Sequence, residues 1–364
     1  MKKPVLLALV NNKQNPFGVN QRVFKEKDLK QRLVFNPEGD DSLESRKIIG
    51  GSSTGIANLN SVKYTWASKL YKVMLSNFWT PEKVSLVDDR TTIKELTEDE
   101  MQALKNTLSF LIALDSMQTA NLPKLSAYIS APEINAIFTL QEFQEQIHSQ
   151  SYQYLLQELF PSLEREEIYN YWRNNPLLLS RNKKIAGAYQ QFADNPTEDN
   201  FKKAIAADFA LEGIYFYNGF QFFYQLASRS KLTEVAKMIQ YIDNDEVTHV
   251  SFMNYLVKEI FDTKNEEDVK ILTETLKEAA DSEIEWGKAI YGDRILGISE
   301  RSTEEYVKYL ANQRAKLIGI GVIYKGFNVN PYQYLDKKDK RENFFETTVT
   351  EYSQSTSVSG WDDF

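Results

Sequence analysis

The two histidines of this 364-residue chain constrain its fold strongly, because each of them closes a Glu-x-x-His motif. The motifs are Glu145-Gln-Ile-His148 and Glu246-Val-Thr-His249. Residues three apart share a face of an α-helix, so each motif can offer a carboxylate and an imidazole to one ion. Two such motifs, with one acidic residue from each of two further helices, make a dinuclear carboxylate site in a four-helix bundle. The alternative is two ordinary histidines on acidic helices, and the use of both histidines in one pattern disfavours it.

The two further acidic ligands are predicted at Asp115 and Glu212. Asp115 precedes Glu145 by thirty residues, on the preceding predicted helix. Glu212 lies in an apolar, aromatic stretch, where an ionised carboxylate is unfavourable unless it is paired or binds a metal. Taken alone, Glu212 is equally well a partly exposed helix residue. The predicted metal ligands are Asp115, Glu145, His148, Glu212, Glu246 and His249.

Tyr152 follows His148 by four residues, one helical turn, which would bring its phenol to about 5–7 Å from the ions. Phe216 and Phe220 follow Glu212 at helical spacing, and Ile242 precedes Glu246 by four residues. One interpretation is ordinary core packing. The other is a dry pocket around Tyr152 that protects an oxidised tyrosine.

Apolar periodicity and breakers predict mainly helices. Long helices are expected over about 132–160, 200–228 and 232–261, with Pro123 and Pro132 at turns or boundaries. Residues 1–55 are polar and rich in Gly and Asn, which predicts an arm that is disordered in part. Residues 345–364 predict a disordered tail whose aromatic residues suit docking to a partner.

Composition narrows the chemistry. The net charge of −8 argues against nucleic acid as a partner, and no apolar run is long enough to cross a membrane. We therefore expect a cytoplasmic protein. Cysteine is absent, so a metal must be held by oxygen and imidazole, which favours iron or manganese over structural zinc.

Four segments together resemble the small, radical-generating subunit of class I ribonucleotide reductase. The match covers sequence, order and spacing, over roughly residues 64–300 and the tail. The segments are Leu114-Asp115-Ser-Met-Gln118, Glu145-Gln-Ile-His148-Ser-Gln-Ser-Tyr152, Leu211-Glu212-Gly-Ile-Tyr-Phe216 and Asp245-Glu246-Val-Thr-His249.

The resemblance implies an all-α, ferritin-like helical bundle over residues 56–344, with a dinuclear metal-carboxylate site. The cofactor would be Fe2 or Mn2, with a mixed Mn/Fe pair also open. It would form a stable oxidant, expected to be a tyrosyl radical at Tyr152, for the reduction of ribonucleotides to deoxyribonucleotides. A manganese centre would call for a flavodoxin-like activator.

The resemblance also implies a radical path and partners. Trp79, Asp245 and His148 would form a hydrogen-bonded chain from the surface to the metals. Tyr352 would relay the radical to the large subunit, and the end of the tail, Trp361-Asp-Asp-Phe364, would dock there. The chain itself would form a homodimer.

Two alternatives remain at this point. The first is a related dinuclear-metal oxidase or monooxygenase with the same bundle, which would have no use for a docking tail. The second is a ferritin-type metal-storage protein, which would need shell-forming surfaces.

Overall fold

The computed structural model describes residues 28–335, and this part of the chain is predominantly helical. Its one β-type pairing is an isolated bridge between Ile49 and Ile129. The prediction of an all-α fold is confirmed. In chain order the α-helices are α1 (Thr65–Ser76), α2 (Asp89–Thr92), α3 (Glu98–Ser126), α4 (Pro132–Leu159), α5 (Ser162–Asn174), α6 (Pro176–Asp194), α7 (Glu198–Ala210), α8 (Tyr217–Ala227), α9 (Thr233–Ile260), α10 (Glu266–Ile290) and α11 (Glu300–Leu317).

Local sequence signals set the starts of the long helices. At the start of α3, Thr97 Oγ1 accepts from the Glu100 backbone N–H at 3.2 Å, and Glu100 Oε2 accepts from the Thr97 N–H at 3.0 Å. This capping box satisfies two backbone donors that the helix leaves free. Pro132 is the first residue of α4, where its missing N–H costs nothing. The predicted helices over 132–160 and 232–261 are confirmed as α4 and α9.

Two boundary predictions were wrong in detail. Pro123 lies inside the last turn of α3, three residues before its end. Proline has no backbone N–H, so it removes one helical hydrogen bond, and near the end of a helix few residues are affected by this loss. The predicted helix over 200–228 is interrupted: a π-helical turn, Leu211–Tyr215, separates α7 from α8. A π-turn shifts the phase of the helix, but residues 208–220 are all buried, so no polar stripe marks the shift and apolar periodicity does not reveal it.

The site-bearing helices pack against one another around a shared core. Helix α3 runs along α4, α4 contacts α9, and α9 contacts both α7 and the π-helical turn. The faces that meet are fully buried. This is the ferritin-like bundle expected from the sequence, and it turns α3, α4, α9 and the π-helical turn toward one centre.

Residues 28–64 lie against the start of α4. Arg46 and Glu133 form a buried salt bridge of 3.2 Å. Glu133 Oε1 also accepts the backbone N–H groups of Lys63 at 2.9 Å and Tyr64 at 3.2 Å. Residues 1–27 and the predicted tail, 345–364, lie outside the described residues. No helix between residues 28 and 335 combines the length and apolar character needed to cross a bilayer.

Candidate metal centre

All six predicted ligands meet in the core. They come from α3, α4, the π-helical turn and α9, and each is fully buried. They form two overlapping groups, in each of which one ligand atom per residue lies within 4.8 Å of all the others. Glu145 and Glu246 belong to both groups, so the arrangement offers two ion sites that share two carboxylates. The first group is Asp115, Glu145, His148 and Glu246, and the second is Glu145, Glu212, Glu246 and His249.

Both imidazoles turn Nδ1 toward the shared carboxylates. His148 Nδ1 lies 3.2 Å from Asp115 Oδ1 and 3.2 Å from Glu246 Oε1. His249 Nδ1 lies 3.0 Å from Glu246 Oε2 and 3.2 Å from Glu145 Oε1. Nδ1 is therefore the atom that each histidine can offer to an ion.

The other nitrogen of each imidazole has a partner outside the cluster. His148 Nε2 lies 3.2 Å from Asp245 Oδ2, and His249 Nε2 lies 3.1 Å from Gln144 Oε1. Both partners are acceptors, so each Nε2 carries a proton and each Nδ1 is the nitrogen left to bind an ion. Gln144 Nε2 also donates to Asp245 Oδ1 at 2.9 Å, which links the two supports.

Two buried amides hold Glu212. Gln141 Nε2 donates to Glu212 Oε1 at 2.8 Å, and Gln118 Nε2 donates to the same oxygen. Gln118 Nε2 also donates to Asp208 Oδ1 at 2.7 Å. Glu212 Oε2 accepts no hydrogen bond and lies 3.5 Å from His249 Nδ1. One oxygen is thus fixed by the protein, and the other is left for an ion.

The π-helical turn that carries Glu212 is held from outside by α11. Arg314 is fully buried, and its Nε donates to the Gly213 carbonyl oxygen at 2.9 Å. Its guanidinium also lies over the Tyr217 ring, 4.9 Å from the centroid. A Cβ at residue 213 would lie 3.0 Å from Arg314 Nε, so glycine is what lets this side chain approach. Glu212, the second residue of this turn, is fully buried beside the other ligands.

Tyr152 is fully buried and lies one turn beyond His148 on α4. Its hydroxyl has no hydrogen-bond partner of normal geometry. Burial raises the pKa of Tyr152 well above its usual value, and the nearby charges of Asp115 and Glu246 raise it further. The phenol therefore keeps its proton at neutral pH. The predicted pocket residues Phe216, Phe220 and Ile242 are fully buried in the same core.

Trp79 connects to the cluster through Asp245. The indole Nε1 donates to Asp245 Oδ2 at 2.8 Å, and the same carboxylate oxygen lies 3.2 Å from His148 Nε2. Trp79 and Asp245 are both buried. The chain of contacts predicted from the resemblance is therefore continuous from Trp79 to His148. The prediction that it begins at the surface was wrong, because Trp79 is itself buried.

The four buried carboxylates of the cluster need cations to balance their negative charge. Five carboxylate oxygens in the ligand set accept no hydrogen bond of normal geometry. Burial raises the pKa of Asp115 and Glu212 well above the usual range, with the charge of Glu145 adding to both shifts. The four carboxylates can together balance two divalent ions, which would also use the unpaired oxygens. The donor set fits a dinuclear centre.

The sequence model of the family "Ribonucleotide reductase, small chain" matches residues 56–331. This chain belongs to the ribonucleotide reductase small-chain family. The small chain is 37% identical over 343 residues to the ribonucleoside-diphosphate reductase subunit beta of Treponema pallidum, a match covering 91% of this chain and 97% of that protein.

Solved structures agree. A ribonucleotide reductase R2 subunit from Clostridium botulinum superposes with a TM-score of 0.82 at 39% identity, covering 85% of this chain and 98% of that one. A Streptococcus sanguinis protein described as dimanganese(II)-NrdF gives a TM-score of 0.66 at 21% identity, covering 74% of this chain and 94% of that one. The latter likeness supports the fold alone.

Membership in the family settles the general function. The small chain is the radical-generating subunit of a class I ribonucleoside-diphosphate reductase, and the oxidase and metal-storage alternatives are not favoured. Small chains of this kind have a dinuclear metal site, form dimers and work with a large subunit.

Sequence reasoning missed the amides around the ligands. Gln144, Gln118 and Gln141 are all buried and all support the ligand set. A signal was present: Gln118 follows Asp115 by three residues, and Gln141 precedes Glu145 by four. Amides at these spacings on ligand-bearing helices are placed to face the same centre.

Proposed function

We propose that the six clustered side chains hold two iron or manganese ions and that the oxidising equivalent made there is stored on Tyr152. The observation that carries this proposal is the pair of overlapping ligand groups, one turn from a fully buried tyrosine with an unpaired hydroxyl. Residues 56–344 would form the functional bundle, with an N-terminal arm before it and a docking tail after it.

The donor atoms leave the choice of metal open. Carboxylate and imidazole ligands suit Fe2, Mn2 and a mixed Mn/Fe pair alike. Once bound and oxidised by an external oxidant, the two ions would supply the oxidising power that removes one electron from a nearby side chain. If the pair is dimanganese, the proposal includes a flavodoxin-like activator.

Tyr152 is suited to storing an oxidation. Loss of one electron from its phenol must be accompanied by loss of the hydroxyl proton, because the raised pKa keeps the tyrosine protonated beforehand. Asp115 is the ligand whose charge acts most strongly on this phenol, so it is the nearest candidate acceptor for that proton. Burial then keeps water and external reductants away from the oxidised ring.

His148, Asp245 and Trp79 would carry the oxidation outward. Asp245 Oδ2 faces both the indole N–H and the imidazole Nε2. It can therefore take the indole proton when Trp79 loses an electron and return it when the electron is replaced. The second oxygen of Asp245 is held by Gln144, which keeps the carboxylate in this orientation.

The last part of the path would lie in the tail. Tyr352 would pass the oxidation to the large subunit, and Trp361 and Phe364 would anchor the tail in pockets on that partner. The protein would act as a homodimer in the cytoplasm, without nucleic acid or membrane as partners.

The test compares two buried tyrosines. Tyr189, like Tyr152, is buried with an unpaired hydroxyl, and Glu212 is among the charges that act on it. Protein activated with iron or manganese should show a tyrosyl radical by EPR, with two metals per chain by elemental analysis. Tyr152→Phe should abolish this signal and keep both metals, whereas Tyr189→Phe should keep both the signal and the metals.

Two results would count against the assignment. A full tyrosyl signal in Tyr152→Phe would place the radical elsewhere. Metal signals alone in active protein, with full nucleotide reduction by Tyr152→Phe, would mean that the ions themselves store the oxidation.

A further inference from the structure

The proposed radical path through His148, Asp245 and Trp79 stops short of the surface, because Trp79 is itself buried. Its ring makes two aromatic contacts within the described residues. One is with His148, with centroids 6.3 Å apart. The other is with Tyr241, with centroids 5.2 Å apart and ring planes at 22°. The contact with Tyr241 is the closer of the two and leads away from the metal ligands.

Tyr241 is well placed to continue the path. It lies four residues before Asp245 on α9, so the two side chains share one face of the helix. Both residues contact Trp79: its indole N–H donates to Asp245, and its ring stacks on Tyr241. Tyr241 is partly exposed, so it joins the buried indole to solvent.

The other aromatic residues beside Trp79 cannot take this role. Phe78 and Phe143 line the same small cavity as Trp79 and stack on each other with centroids 6.1 Å apart. Both are phenyl rings, which are much harder to oxidise than a phenol. Within the described residues, Tyr241 is therefore the oxidisable phenol that stacks on Trp79.

We propose that Tyr241 is an additional redox-active residue between Trp79 and the tail, an inference that rests on the proposed radical path. Oxidised Trp79 has given its indole proton to Asp245. Tyr241 donates one electron to the Trp79 ring, the proton returns from Asp245 to the indole nitrogen, and the Tyr241 phenol releases its own proton to water. The tyrosyl radical at Tyr241 is then reduced by one electron from Tyr352 and one proton from water.

The oxidant for this step is the oxidised Tyr152 of the proposed function, which accepts the electron in the end. One electron moves inward toward the oxidation stored at Tyr152, and Trp79, Asp245 and Tyr241 all return to their starting states.

The same helix provides a matched control. Tyr255, also on α9 and also partly exposed, stacks on Trp66 with centroids 4.6 Å apart and planes at 11°. The Trp66 indole N–H has no hydrogen-bond partner, so this pair lacks the carboxylate that links Trp79 to His148. If stacking on tryptophan were enough for oxidation, Tyr255 would react as Tyr241 does.

The experiment places 3-aminotyrosine, which is more easily oxidised than tyrosine, singly at positions 241, 255 and 352. Each activated protein is mixed with the large subunit and a ribonucleoside diphosphate, and is then frozen for EPR. We expect an aminotyrosyl radical at 241 and at 352, formed as the stored radical is lost, and none at 255. A radical at 352 without one at 241 would overturn this inference and leave the proposed function standing. Equal radicals at 241 and 255 would also overturn it, because oxidation would then be unspecific.

A second variant removes only the phenol oxygen. Tyr241→Phe keeps the ring stack but not the easily oxidised group, so turnover should fall on the order of tenfold or more. The metal content, the stored radical and the affinity for the large subunit should stay unchanged, and Tyr255→Phe should turn over normally. Normal turnover in Tyr241→Phe would overturn the inference. A wild-type protein that holds two metals but neither forms a stored oxidant nor supports nucleotide reduction would instead overturn the proposed function.

Discussion

His249 Nε2 and Gln144 Oε1, both on buried side chains, lie 3.1 Å apart, and this contact sets which nitrogen of His249 faces the ligand cluster. The amide nitrogen of the same glutamine points the other way, to Asp245. Gln144 therefore cannot rotate its amide by 180° without losing both contacts, and it holds the two histidine supports in one fixed arrangement.

Gln144→Leu should weaken metal binding while leaving the fold intact. Leucine fills a similar volume but offers no acceptor, so His249 loses the partner that fixes its tautomer. Loss of such a support typically weakens metal affinity about 10- to 100-fold. Chelator competition would measure the affinity for each metal equivalent. Gln153→Leu, at an exposed position on the same helix, is the control and should bind as the wild type does.

Metal binding should strengthen as the pH rises. Burial raises the pKa of Asp115 and Glu212, so both hold protons that a metal must displace. Calorimetric titrations in buffers of different ionisation enthalpy should show proton release on binding. In the metal-free protein these two groups have higher pKa values folded than unfolded, so their contribution to stability should fall as the pH rises through the folded values. Metal binding without proton release would contradict the assignment.

Gly213→Ala should destabilise the π-helical turn. The added Cβ would lie 3.0 Å from Arg314 Nε, and Arg314 is fully buried and held by its hydrogen bond to the Gly213 carbonyl oxygen. Overpacking of this kind costs about 1–3 kcal/mol. Chemical denaturation of the metal-free protein would measure it. Gly187→Ala is the control: its Cβ would enter open space on α6, so stability should rise by roughly 0.5–1 kcal/mol.

The tail should separate into an anchor and a relay. Deletion of residues 361–364 should weaken binding to the large subunit and leave the metal site unchanged. Tyr352→Phe should bind normally yet abolish nucleotide reduction, because phenylalanine is much harder to oxidise. Surface plasmon resonance and turnover assays would distinguish the two effects. Normal turnover in Tyr352→Phe would rule out the relay, and unchanged affinity after truncation would rule out the anchor.

The sequence predicted the ligand positions because charge and spacing leave few choices. A histidine and a glutamate three residues apart on a helix share a face in any chain, so the spacing alone places the two side chains together. Glu212 was predictable only beside the two Glu-x-x-His motifs, because its apolar surroundings alone leave it equally well a partly exposed helix residue. The structure brings all of these residues together.

The remaining features depend on contacts between distant segments. The π-helical turn is supported by Arg314, which is about a hundred residues away in sequence, so no local pattern reveals it. The stack of Tyr241 on Trp79 likewise joins a loop after α1 to α9. Glutamine is uncharged and common on helix surfaces, so the buried roles of Gln118 and Gln144 become visible only when the helices are packed.

The complete burial of the six ligands has a consequence for the lifetime of the bound metals. An ion can enter or leave only when α3, α4 or α9 opens locally, and such openings in a tightly packed core are rare events. Loading and exchange both depend on such openings, and exchange also requires the bonds to the ligands to break, so exchange should be the slower process. The metals bound in the protein should therefore reflect which ions were abundant when the chain was loaded, rather than which ions it binds with the highest equilibrium affinity.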